Sequence, residues 1–191
     1  GFKGGIGTSS RCVTVEGRVY TIGVLVQSNY DGELGINGAP VGRELRKAKR
    51  EDAQPQSTVD GSCMIGVATD APLDARNLER LAARAVLGLG RTGSCMQNGS
   101  GDFVIAFTTA YRIPEKSGSL SSPVALLANR AMNDLFQGAV EATEESVYNS
   151  LFMATSVTGH RGNTRQAIPL EAVGEVCARY NVLNSPRQLP G

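Results

Sequence analysis

The chain holds a single histidine, no cysteine pair at C-x-x-C spacing, no long apolar run and almost no net charge. Each shortage removes a class of function. A membrane-spanning helix needs roughly 18 or more consecutive apolar residues, and no segment supplies them. A formal net charge of +1 gives no general reason to expect nucleic acid or an anionic membrane as partner. The first residues, GFKGGIGTSSR, lack the apolar h-region of a signal peptide and read as the middle of something longer. The compartment therefore stays open, the cytoplasm being expected ahead of the periplasm. Cys12, Cys63, Cys95 and Cys177 are scattered through mostly apolar contexts, which argues against a zinc knuckle or a disulfide framework. All four are expected to be reduced packing residues. A serine hydrolase with an imidazole base would depend on His160, and TSVTGHRGNTR reads as a Gly-rich surface loop, a poor setting for one.

What is present suits one ordinary globular domain: 191 residues, 41% hydrophobic and 19% charged. Residues 11–27 alternate and then run apolar around Glu16-Gly17, which predicts a β-hairpin. From Ser28 to Gly61 a long connection follows, with a short helix at 42–52. Strand character returns at Ser62–Thr69. Leu78, Leu81, Ala82, Ala85 and Leu89 then stand at helical spacing, with Pro72 near the first turn and Gly90 or Gly93 as the stop. FVIAFTT reads as a further strand, 123–136 and 139–155 as two helices, and Pro169 opens a last helix. Strands and helices mix with no repeat, so the class is α/β or α+β, a layered sandwich.

The chemistry candidates are few. In VDGSCMIGVATD a polar segment ends at Gly61-Ser62 and passes at once into strand pattern. The commoner reading of such a pair is a plain loop-to-strand junction. The other is a chain that cuts itself, because Gly61 tolerates unusual backbone and Ser62 carries a hydroxyl that can attack the preceding carbonyl. A serine needs a base. A free α-amine, with a pKa of about 7.7 to 8.0, is one, and Ser62 would acquire it on scission. In Asn98-Gly-Ser-Gly-Asp102, Ser100 and Asp102 at i and i+2 point the same way if the segment is extended; a simple turn is the alternative. Lys3–Ser10 resembles an anion-cradling loop but matches neither nucleotide signature, and a tight interior loop is expected there. The basic run Arg43, Arg46, Lys47, Lys49, Arg50 reads as a solvated face, and the acidic group Glu141, Glu144, Glu145 stands at helical spacing without the clustered histidines of a metal site.

Taken in order, FKGGIGTSSR, GVLVQSNY, DGSCMIGVATDAPLDARNLERLAARA, GLGRTGS, NGSGD and EATEESVYNSL resemble the self-processing aminopeptidases related to L-aminopeptidase/D-esterase and the β-peptidyl aminopeptidases. The resemblance runs over nearly all of residues 1–160, in several independent segments. It implies a four-layer αββα sandwich like that of N-terminal-nucleophile hydrolases, shared with ornithine acetyltransferase. It also implies a precursor that cleaves itself between Gly61 and Ser62. On this view 1–191 is a single domain, the C-terminal part of that precursor: residues 1–61 end a first subunit with its processing loop, and 62–191 form the nucleophile-bearing second subunit. Family members extend further at the front, so the chain is expected to be a fragment, to be completed by a separate chain, or to be a shortened product.

The same resemblance assigns roles. Ser62 becomes the nucleophile, its α-amine the base, Ser100 and Asp102 the groups that hold that amine, and Asn29 an oxyanion donor. The implied substrates are peptides and amino-acid amides or esters with a free amino terminus, with no cofactor and no metal. The implied assembly is a homo-oligomer of processed heterodimers, with no nucleic acid or membrane partner. Two rival readings stand beside it: an acyltransferase of the ornithine acetyltransferase kind, whose usual nucleophile is threonine, and an inactive fragment that serves as an assembly partner.

Overall fold

The computed structural model describes residues 1–30, 32–48, 61–113 and 123–183. Its centre is a four-stranded sheet in the order β1 (Ile6–Val15), β2 (Arg18–Asn29), β3 (Ser62–Thr69), β4 (Phe103–Thr108). β1 and β2 form the expected hairpin. Its turn places Glu16 at φ 48° and Gly17 at φ 80°, the left-handed pair that matches strand twist in a two-residue loop. β2 and β3 are antiparallel, whereas β3 and β4 are parallel. Parallel neighbours need a crossover, supplied here by α2 (Ala75–Arg91). Asp74 caps α2 by accepting from the Asn77 N–H at 2.8 Å, an N-cap contact of the usual kind.

α2 and α3 (Met132–Phe152) cover one face of this sheet. Strand alternation turns Ile22, Val24, Val26, Cys63, Ile65 and Val67 toward them, all buried. From the helices come Leu81, Ala85 and Leu89, with Leu135, Ala139 and Val147 opposite. Among the described residues nothing covers the other sheet face, which is bare and leaves Leu25, Met64, Phe103, Ile105 and Phe107 between 43% and 63% exposed. One helix layer and one sheet layer of the four-layer expectation are thus visible among the described residues. A satellite cluster packs α1 (Val41–Ala48) against α4 (Leu170–Arg179) through Val41, Leu45, Val173 and Val176. A small ribbon, β5 (Val157–Thr158) with β6 (Thr164–Arg165), lies between α3 and α4 in the chain.

Three expectations need correction. The helices expected at 123–136 and 139–155 are one, α3, preceded by a 3-10 turn at Asn129–Ala131, and 123–128 are not helical. Gly138 marks no break: a Cβ there would sit 2.7 Å from Ile22 Cδ1, so its lack of side chain lets the helix lie on the sheet. The expected tight loop at Lys3–Ser10 becomes strand from Ile6 onward. Gly7 serves the same end, since a Cβ would fall 2.0 Å from the Ser146 carbonyl. Finally, all four cysteines are free, but only Cys63 and Cys177 are buried; Cys12 and Cys95 are exposed. Cys12 lies on the bare sheet face and Cys95 in the loop after α2. α1 begins where expected and runs to Ala48; the remainder of the expected helix lies outside the described residues.

Candidate active site

Where β3 starts, the β3–β4 parallel pairing brings two distant segments together. Ser62 opens the strand, half-buried. Its Oγ donates to the Gly61 carbonyl at 2.7 Å and accepts from the Gly101 N–H at 3.2 Å. One residue on, the Cys63 N–H donates to Asp102 Oδ1 at 2.9 Å. Asp102 Oδ2 accepts from Ser100 Oγ at 2.8 Å. The NGSGD segment therefore grips the entry of β3 at two successive residues. It can do so because it is a turn leading into β4: the Ser100 N–H donates to the Gln97 carbonyl at 2.9 Å, and Gly99 sits at φ 96°. The segment is a turn, and the turn is what sets Ser100 beside Asp102.

Asn29 lies directly opposite Ser62 in the β2–β3 register and is exposed. Directly opposed residues share a sheet face, with Cβ atoms about 4.5 to 5.5 Å apart, so Asn29 and Ser62 belong to the bare face. Next to it Tyr30 anchors the end of β2 through a 2.6 Å bond between its hydroxyl and Thr92 Oγ1; burial pushes this phenol up to about 12. Burial likewise pushes the Cys63 thiol up to about 11, against a lowering backbone bond from Asn29 and with the Asp102 charge adding to the rise. Behind Ser62, then, stands a buried thiol held in its neutral form.

The structure thus brings together Ser62, Ser100, Asp102 and Asn29, with Gly61 at the junction. His160 is elsewhere, on an exposed 3-10 turn between β5 and β6. Among the described residues no group of three His, Cys, Asp or Glu could hold a metal ion. No helix of these residues is long and apolar enough to cross a membrane. The acidic group is consumed by ion pairs, Glu141 and Glu145 with Arg11 and Glu144 with Arg91. Arg46 and Lys47 of the basic run pair with Glu33 and Glu44, while Lys49 and Arg50 lie outside the described residues. An apolar depression of about 590 Å³ lies farther along the bare sheet face, where Gly23, Gly66 and Ala68 leave room beside Leu25 and Phe107; Ser62 does not line it. Two contributors escaped the sequence reading: the Gly101 amide, and the Tyr30–Thr92 bond. Backbone donors carry no side-chain signature, although a glycine between Ser100 and Asp102 was a hint.

Residues 1–165 match Peptidase family S58. The chain belongs to that family. Among its relatives, β-peptidyl aminopeptidase BapA of Sphingosinicella microcystinivorans is 38% identical over 195 residues, covering 96% of this chain and 49% of its own length. In structure, the PH0078 protein of Pyrococcus horikoshii OT3 superposes with a TM-score of 0.85 at 41% identity, over 95% of this chain and 49% of that one. The L-aminopeptidase D-Ala-esterase/amidase of Ochrobactrum anthropi, described as a prototype serine aminopeptidase with a variant Ntn-hydrolase fold, gives 0.84 at 37% identity, over 96% and 50%. The S58 chain has that fold class. It spans about half the length of the curated relatives it matches.

Proposed function

We propose that the protein is a serine aminopeptidase that activates itself by cutting between Gly61 and Ser62. One observation carries the reading: Ser62 Oγ lies 2.7 Å from the Gly61 carbonyl oxygen, while the NGSGD turn holds the adjacent Cys63 N–H through Asp102. In self-cleavage Oγ attacks the Gly61 carbonyl carbon and the C–N bond breaks, shifting the acyl group to an ester. Water then hydrolyses the ester, leaving a carboxylate on Gly61 and an α-amine on Ser62. Residues 62–191 become a second subunit.

In turnover the new α-amine accepts the Oγ proton as Oγ attacks the first amide or ester carbonyl of a substrate with a free amino terminus. The amine's unperturbed pKa of about 7.7 to 8.0 suits a base near neutrality. Ser100 and Asp102 orient it, the carboxylate acting also as counter-charge. Asn29 faces the carbonyl oxygen as oxyanion donor, a role worth about 3 kcal/mol when the donor is well placed. The leaving amine departs with the proton, and water releases the acyl group. The relatives' names, β-peptidyl aminopeptidase and L-aminopeptidase D-Ala-esterase/amidase, support short peptides and amino-acid amides as the substrate class. The assembly proposed is an oligomer of processed heterodimers.

Intact-mass measurement of the full-length protein tests this. The expected result is two chains meeting at 61/62, and for Ser62→Ala a single uncut chain without peptidase activity. A Ser62→Ala protein that still hydrolyses amino-acid p-nitroanilides refutes the assignment.

A further inference from the structure

Ser62 Oγ makes two hydrogen bonds, and they differ in what becomes of them. The one it donates ends on the carbonyl of Gly61, which leaves its place when the 61/62 bond is cut. The one it accepts comes from the Gly101 N–H, in the same chain segment as Ser62 after scission. A serine hydroxyl has one proton and two lone pairs. In attack the proton goes to the α-amine, one lone pair forms the bond to carbon, and the other remains for a donor.

We propose that the backbone N–H of Gly101 is a catalytic hydrogen-bond donor to Ser62 Oγ, stabilising the negative charge that builds on that oxygen as its proton leaves. This rests on the reading of Ser62 as nucleophile and adds a group that no side chain could reveal. The local geometry supports it. Ser100 and Asp102 on either side of Gly101 are themselves fixed, Ser100 by its N–H on the Gln97 carbonyl and Asp102 by the Cys63 N–H. The amide is therefore held in place before reaction, the condition under which a donor to developing charge is effective. Residue 101 is also a position where a side chain would crowd the contact: a Cβ there would stand 3.3 Å from Ser62 Oγ and 3.3 Å from Phe103 Cε2. Glycine lets the amide approach the oxygen unobstructed. The donor is distinct from an oxyanion hole, since it serves the attacking oxygen and not the carbonyl oxygen, and it acts alike in self-cleavage and in turnover.

The test is Gly101→Pro, which removes the N–H, in the full-length protein, with reaction of Ser62 toward phenylmethanesulfonyl fluoride as the readout, followed by intact mass on the chains that are cut at 61/62 so that the α-amine is present in both proteins compared. This probe reports on Oγ without requiring substrate binding. The expected result is a fall of about 10²-fold in the labelling rate, the usual scale for one lost donor. A matching fall in kcat is expected, with KM and the acidic limb of the pH profile unmoved. Where proline lowers the thermal midpoint, glycolic acid introduced at 101, which exchanges the N–H for an ester oxygen, provides the same reading with the backbone shape kept. Labelling within about threefold of wild type, or a loss explained wholly by a shifted pH limb, overturns the proposal. A wild-type protein that is neither cut at 61/62 nor labelled on Ser62 overturns instead the function on which it rests.

Discussion

Replacing Asp102 by asparagine changes the candidate site by little more than a charge. The carboxylate now accepts from two donors, the Cys63 N–H at 2.9 Å and Ser100 Oγ at 2.8 Å. An amide has one oxygen and one NH₂. Its oxygen must stay on the Cys63 N–H, which cannot turn, so its NH₂ meets Ser100 and forces that hydroxyl to reverse and accept. Two charge-assisted bonds, each worth about 1.5 to 3 kcal/mol, become neutral ones of about 0.5 to 1.5. Asp102 is half-buried and water screens part of the difference, leaving a loss of about 1 to 2 kcal/mol. For a chain of this size that is a thermal midpoint lower by about 3 to 6 °C, so the fold survives.

Activity should fall much further, by about 10²-fold in kcat/KM, because the counter-charge and orientation of the α-amine are both lost. The sign of the pH effect follows from the same geometry. A neighbouring anion favours the ammonium form and holds the amine's pKa up; removing the anion lowers it. Since only the free amine accepts a proton, the acidic limb of kcat/KM should move to lower pH while the plateau drops. Profiles for Asp102→Asn and wild-type protein, together with differential scanning calorimetry, supply the measurements. An unchanged plateau and limb would falsify the role given to Asp102; a collapse of the fold would show that the carboxylate is primarily structural.

Other outcomes follow from packing and burial. Gly88→Ala in α2 should lower the thermal midpoint by about 6 °C or more, because the added methyl lies 2.4 Å from the Val140 carbonyl and 2.7 Å from Thr143 Cβ; the overpacking cost of about 3 kcal/mol exceeds the roughly 1 kcal/mol gained in helix propensity. A midpoint equal to wild type would show that α2 and α3 can separate freely. At pH 8 iodoacetamide should modify exposed Cys95 well before Cys63, whose thiol is buried and pushed up to about 11. Equal labelling of the two, read by peptide mass mapping, would contradict the packing of β3 under the helices.

Much of this was legible in one dimension because it depends on short-range periodicity. The hairpin at Glu16-Gly17, the strand from Ser62, the helix through Leu81 and Leu89, and the Ser100/Asp102 pair all follow from alternation, turn chemistry or i, i+2 spacing. The family resemblance, too, lies in ordered local motifs, and the match over residues 1–165 bears it out. What escaped depends on which element lies against which. Gly7 and Gly138 read as interruptions because a glycine's local cost is visible in sequence, while its benefit, close approach of α3 to the sheet, exists only after packing. Cys12 and Cys95 look like Cys63 and Cys177 in composition, and only the direction of the strand and the path of the loop expose them.

By itself, then, the order of residues determined most of the elements, their class and the identity of the chemical groups: a hydroxyl at Ser62, a carboxylate at Asp102, an amide at Asn29. Their meeting was decided by tertiary structure alone. Asp102 lies 39 positions after Cys63, and the parallel pairing of β3 with β4 across α2 closes that separation to a hydrogen bond. No spacing rule contains that contact, because it depends on how a crossover helix returns the chain to the sheet.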